Sequence, residues 1–124
     1  MWCGMISRYP ITPIGKPRMT RRDTWKKRPC VLRYYAFKDL IRLYRVDVPM
    51  SGATIRFELP MPPSWSKKKR EAMNGQPHQQ KPDIDNMLKA LLDAVYHDDS
   101  VVWHLAGLEK RWAVEGAIMV EVRR

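Results

Sequence analysis

The chain's 124 residues, 44% of them apolar, suit one compact domain over 1–124 with a modest core. They include no apolar run of bilayer-spanning length, and MWCGMISRYP lacks the long apolar core of a secretory signal, which points to the cytoplasm. The net charge of +10 favours a polyanionic partner, nucleic acid above all, while two cysteines outside any CxxC and three histidines outside any HxxxH argue against a disulfide framework and a zinc centre.

Residues 5–11, MISRYPI, predict a short first strand. Pro13, Gly15, Pro17 and Pro29 keep most of the next stretch out of regular structure. Between Lys16 and Arg28 it carries seven basic residues, including Lys16, Arg18, Arg21 and Arg22, together with Trp25. Such a basic loop over 15–29 reads either as a solvated segment or as a phosphate-contacting arm with an aromatic ring for stacking, and the overall charge favours the arm. Residues 30–46 predict a helix, because Tyr34, Phe37, Leu40, Ile41 and Tyr44 recur at spacings of three and four; that stripe is a core or dimer face. In 53–59, Ala53, Ile55, Phe57 and Leu59 alternate with Thr54, Arg56 and Glu58, the pattern of a half-buried strand.

A second basic cluster, Lys67, Lys68, Lys69 and Arg70, lies beside Trp65 within 64–80. Ser64 or Ser66 is placed to cap a short helix there that stops near Asn74-Gly75. Asp85 is a good N-cap for a helix over 86–97, whose apolar face carries Met87, Leu88, Leu91, Leu92 and Val95. After Asp98-Asp99 the chain predicts a strand bulged around Gly107, then a final strand in EGAIMVEVR. Trp103 and Trp112 read as packing residues, Trp25 and Trp65 as rings able to stack on bases. The whole reads as α+β, a mixed sheet with helices packed against it; the strand order does not follow from the pattern.

The acids are unevenly placed. Residues 1–82 hold 18 Lys/Arg against 5 Asp/Glu, whereas residues 83–124 hold 5 against 8. Asp83 and Asp85, two apart, project to one side if the segment is extended, and Lys89 lies one turn beyond Asp85. The helix then leads to Asp98-Asp99. If the following strand returns beside the first, three carboxylates converge, and only a cation between them offsets their repulsion. An all-oxygen donor set selects a hard ion, Mg2+ or Mn2+. Such an ion polarises a phosphate, lowers the pKa of attacking water and steadies a leaving oxygen, while Lys89 stabilises charge building on the phosphate. Acids set among cations suit a metal-dependent nuclease. The same residues also allow a plainer reading, in which Asp85 caps, Asp98-Asp99 turns, and Lys89 pairs along the helix.

KPDIDNMLKALLDAV, with DDSVV after it, closely resembles the RusA family of Holliday junction resolvases of bacteria and their prophages. GKPRMTR at 15–21, SWSKKKR at 64–70 and EKRW at 109–112 are similar to stretches of its phage-type members. The resemblance implies a homodimeric, Mg2+-dependent endonuclease that places paired nicks in four-way DNA junctions during recombination and repair. It implies catalytic and metal-holding roles for Asp83, Asp85 and Asp99, and an essential role for Lys89. Asp98 is the weaker member of its pair, and Asp93 reads as a structural residue whose spacing lets it pair with Lys89. A C2 dimer suits the task, since symmetric cutting needs two sites. The competing readings are a non-catalytic nucleic-acid-binding phage protein and a nuclease directed at RNA.

Overall fold

A computed structural model describes residues 4–18 and 28–123. The elements in chain order are β1 (Gly4–Tyr9), α1 (Pro29–Leu43), β2 (Ser51–Pro60), α2 (Lys67–Met73), α3 (Ile84–Tyr96), a 3-10 turn (Asp99–Val101), β3 (His104–Ala113) and β4 (Ala117–Arg123). The four strands form one mixed sheet in the order β1-β4-β2-β3. β2 runs parallel to β3 and antiparallel to β4, and β4 runs antiparallel to β1. The fold is therefore α+β, as the sequence pattern predicts.

The sheet is built around β2. Its Ala53, Ile55, Phe57 and Leu59 are buried, as the alternation requires, and Thr54, Arg56 and Glu58 are half-buried on the other face. Parallel pairing of β2 with β3 needs a long crossover, and α2, α3 and the 3-10 turn supply it. The predicted irregularity in β3 is present: Ala53 pairs with Leu105 and Thr54 with Gly107, so Ala106 is the extra residue. α1 and α3 cover one face of the sheet. Tyr34, Phe37 and Ile41 of α1 and Met87, Ala90 and Leu91 of α3 join Ile55, Phe57, Ile118 and Val120 in a single core.

Two expectations are corrected, and the α1 stripe, expected to be a core or dimer face, divides. Leu40 and Tyr44 do not join the buried stripe of α1. The helical period rotates them past the edge of the core, and Val31 takes the place at its start. Trp103 is not a packing residue: it precedes the edge strand β3 and is 76% exposed. Trp112, in contrast, is buried as expected, packed at a tilt against Trp65 and His78. Asp85 is not the N-cap of α3; that position belongs to Asp83, whose backbone is extended and whose carbonyl accepts the first helical bond from Met87 N–H. Trp25, Arg21 and Arg22 lie outside the described residues. Among those described, no helix is long and apolar enough to cross a membrane.

Phe57 sits at the centre of this core with no exposed surface. Phe57→Ala is expected to lower unfolding free energy by about 3–5 kcal/mol, measured by urea denaturation at neutral pH.

Candidate active site

The helix α3 sorts its polar residues by direction. Its apolar side, with Met87, Ala90, Leu91 and Ala94, is buried. Asp85 and Lys89, one turn apart, stand on the opposite, exposed side. Asn86 and Asp93 lie between these two sides, where the chain from Pro13 to Arg18 passes. Asn86 clamps that segment through its main chain and side chain: Lys16 N–H donates to Asn86 O at 3.3 Å and Asn86 Nδ2 donates to Lys16 O at 3.1 Å. Lys16 then reaches along the helix to Asp93, Nζ to Oδ2 at 2.7 Å. Tyr34 of α1 donates to the same carboxylate oxygen at 2.9 Å.

This network changes the expected role of two residues. Asp93 pairs with Lys16, not with Lys89, because it faces inward and Lys89 faces solvent. Lys16, expected among the DNA contacts, has its ammonium committed to an internal carboxylate, so this stretch of the basic loop is a fixed strap. Burial alone would raise the Asp93 carboxyl, but hydrogen bonds from Lys16 and Tyr34 outweigh it and hold it below the usual aspartate range. Burial first, and then Asp93, pushes the Tyr34 hydroxyl well above its ordinary value, so it stays protonated and donates.

The segment leading to Asp83 is stitched to the free edge of β3. His78 N–H donates to Lys110 O at 3.0 Å, Gly75 N–H to Trp112 O at 2.8 Å, and Trp112 N–H to Gln76 O at 3.0 Å. Arg111 Nη1 donates to Gly75 O at 2.7 Å. Lys110 ends this seam: its ammonium donates to the carbonyls of Gln80 and of Pro82, the latter at 2.7 Å. His78 is buried against Trp112, and desolvation, helped by Lys110, holds its ring below the ordinary histidine pKa, which makes it a neutral packing residue. The chemistry of Lys110 alone does not mark it as a site residue; the similarity of EKRW to family stretches is the sequence signal that points to it.

At the other end of α3, Asp98 accepts from Ser100 N at 3.0 Å and Ser100 Oγ at 2.8 Å, which keeps its carboxyl below the usual range. It is thus a turn residue. Asp99 is half-buried, and its charge is felt by Tyr34. The side chains of Asp83, Asp85, Lys89 and Asp99 have no hydrogen bond or ion pair among the described residues.

The expected convergence of the acids is not seen in the single chain. Asp85 lies inside the first turn of α3, so Asp83 and Asp85 are not two positions of one extended segment. β3 returns beside β2, not beside β1. About 15 Å of helical rise separates Asp83 from Asp93, while Asp99 follows the far end of α3 and acts electrostatically on Tyr34, the partner of Asp93. Among the described residues no group of three or more His, Cys, Asp or Glu is placed to hold a metal ion. The donor chemistry, exposed and unpaired carboxylates, suits a hard divalent cation; the single-chain geometry supplies no three-ligand cage. Of the second basic cluster, Lys67, Lys68 and Lys69 are exposed and Arg70 half-buried, all on α2, which Ser66 caps by accepting from Lys69 N at 3.2 Å. Lys69 also lies over the Trp65 ring, 4.2 Å from its centroid.

Residues 9–123 match the family described as Endodeoxyribonuclease RusA. The chain belongs to the RusA endodeoxyribonuclease family. The match takes in the acidic helix, the seam that leads into it and both described parts of the basic surface. It therefore assigns a nuclease activity to a fold whose unpaired acids are set among cations. Comparison with curated proteins and with solved structures gave no match.

Asp93 and Lys110 yield two expected outcomes. Asp93→Asn should cost about 1–3 kcal/mol at pH 7. Because the folded pKa is depressed, the carboxylate's contribution is complete above the unfolded value of about 4 and vanishes as pH falls through the folded one. Denaturation curves from pH 7 to 3 should therefore show the wild type losing its advantage over Asp93→Asn in that acid range. Lys110→Met should leave DNA binding nearly unchanged, reduce cleavage roughly tenfold and raise the divalent-cation concentration for half-maximal cutting, with partial rescue by Lys110→Arg.

Proposed function

We propose that this RusA-family protein is a Mg2+-dependent, structure-selective endodeoxyribonuclease that resolves four-way DNA junctions by paired nicks, acting as a homodimer in the cytoplasm with the whole of 1–124 as one catalytic domain. The observation that carries this reading is the unpaired state of Asp83, Asp85 and Lys89 at one exposed end of α3, in a chain that pairs its other helix acid, Asp93, internally. Acidic side chains left exposed and without partners in a protein of charge +10 are free to take up a hard cation in place of their hydration water.

Asp83 and Asp85 would hold the ion, and Mg2+ characteristically takes one or two carboxylates and completes its shell with water and substrate phosphate. When bound, the ion supplies Lewis-acid activation of the phosphodiester and of attacking water. Lys89, on the same exposed side as Asp85, is placed to stabilise negative charge building on the phosphate. Asp99 is the third carboxylate of the family pattern. Its distance from Asp83 along α3 favours a site completed by a second copy of the chain over one completed within a single chain, and this gives the dimer a role beyond supplying two cuts. Arg18 and the basic side chains of α2, Lys67 to Arg70, supply phosphate contacts that do not depend on base sequence.

Purified protein should nick a synthetic four-way junction in Mg2+ and be inactive in EDTA. Asp85→Asn should abolish cleavage and leave junction binding largely intact, since it removes a ligand and no cation. Wild-type cutting by that variant would refute the site, and equal cutting of linear duplex would refute junction selectivity. Binding should weaken steeply between 50 and 200 mM salt, by roughly a thousandfold for six phosphate contacts.

A further inference from the structure

Beside Asp83 lies an open groove of about 550 Å3, a volume that matches one nucleotide unit better than a whole duplex. Its walls include Ile14, Pro17 and Pro82, and its rim carries Arg33, Lys81 and Asp83. Arg33 is on the first turns of α1, and Lys81 ends the seam along β3. Both are exposed, and neither side chain has a hydrogen bond or ion pair among the described residues. The walls are held firmly: Asn86 bonds Lys16 on both sides, and a Cβ at Gly15 would come within 2.8 Å of Asn86 Nδ2 and 3.0 Å of Pro82 Cβ, so a side chain there would push the Asn86 amide off its bond to Lys16.

We infer that this groove is a nucleotide subsite for the strand next to the cleaved phosphodiester, with Arg33 and Lys81 binding its phosphate and the proline and isoleucine side chains packing against its sugar and base. The inference rests on the nuclease reading for its ligand and adds to it a binding element that neither basic cluster contains. The argument is one of charge and shape. Two cations with unpaired side chains flank an apolar floor, the positive end of α1 adds its dipole, and among the described residues the one acid on the rim is Asp83, assigned to the chemistry. An anionic chain in the groove meets two cations against one carboxylate. A protein ligand would need an acidic segment narrow enough for the same groove, and that is the alternative the experiment separates.

Arg33→Ala/Lys81→Ala, both surface changes, should weaken junction binding in EDTA about tenfold and lower the slope of log affinity against log salt by about two, one per cation removed. Arg42→Ala, at the far end of α1, should change neither. A second readout uses Cys30, a free thiol that also lines the groove. In a Cys3→Ser background, junction DNA in EDTA should slow its alkylation by N-ethylmaleimide, and a poly-glutamate peptide at the same charge concentration should not. Wild-type affinity and salt slope in the double variant would overturn the subsite, as would protection by poly-glutamate equal to that by DNA. These measurements need no cleavage. Normal binding loss with a fully active Asp85→Asn would refute the catalytic assignment and leave the groove standing; an inactive Asp85→Asn with no binding loss in the double variant would do the reverse.

Discussion

The burial of one side of α3 governs the site. Met87, Ala90, Leu91 and Ala94 can leave water only by packing on the sheet and on α1, and this fixes the rotation of the helix about its axis. Once that rotation is set, Asp85 and Lys89 must face solvent, and Asn86 and Asp93 must face the strap from Pro13 to Arg18. A helix turned by one residue would reverse those roles. The hydrophobic pattern therefore decides the electrostatics, because it determines which charges are available to a substrate and which are enclosed.

The charges then divide into two groups. Lys16, Asp93, Lys110 and Asp98 work inside the protein. Lys16 and Asp93 bind the N-terminal strap to α3, Lys110 ties the carbonyls of Gln80 and Pro82 to the sheet edge, and Asp98 closes the turn after the helix. Asp83, Asp85, Lys89 and Asp99 are left unpaired. The half-buried charges Lys16, Asp93 and Lys110 are tolerable because each has a partner. Asp83, Asp85 and Lys89 are exposed and hydrated, and a substrate or ion can replace that water. The seam from Gly75 to Pro82 serves both purposes, since it covers the edge of β3 and delivers Asp83 to its position.

Much of this was legible in the chain itself. The alternation over Ala53–Leu59, the three-four spacing in α1 and α3, the serine cap before Lys67 and the irregularity near Gly107 are local patterns, and each is carried by residues within a turn or a strand of one another. The acids and Lys89 were legible for the same reason, because their spacing lies within one motif. Sequence also determined the α+β class and the separation of a basic chain from an acidic helix. It did not determine that Leu40 and Tyr44 stay outside the core, that Trp103 is exposed, or that Asp83 and not Asp85 stands at the helix cap.

Only the tertiary structure decided which partners the charges take and where the strands lie. The order β1-β4-β2-β3 places β2 between two strands that follow each other in the chain, and no local signal encodes that. Lys16 meets Asp93 across 77 positions, and Lys110 meets Pro82 across 28, on geometry that exists only after α3 has docked. A side chain's neighbours along the chain set its conformation and its face; its neighbours in space are set by how separate faces close on one core. The residues able to do chemistry were therefore readable in the sequence, and their assignment to structural or substrate-facing work was made by packing.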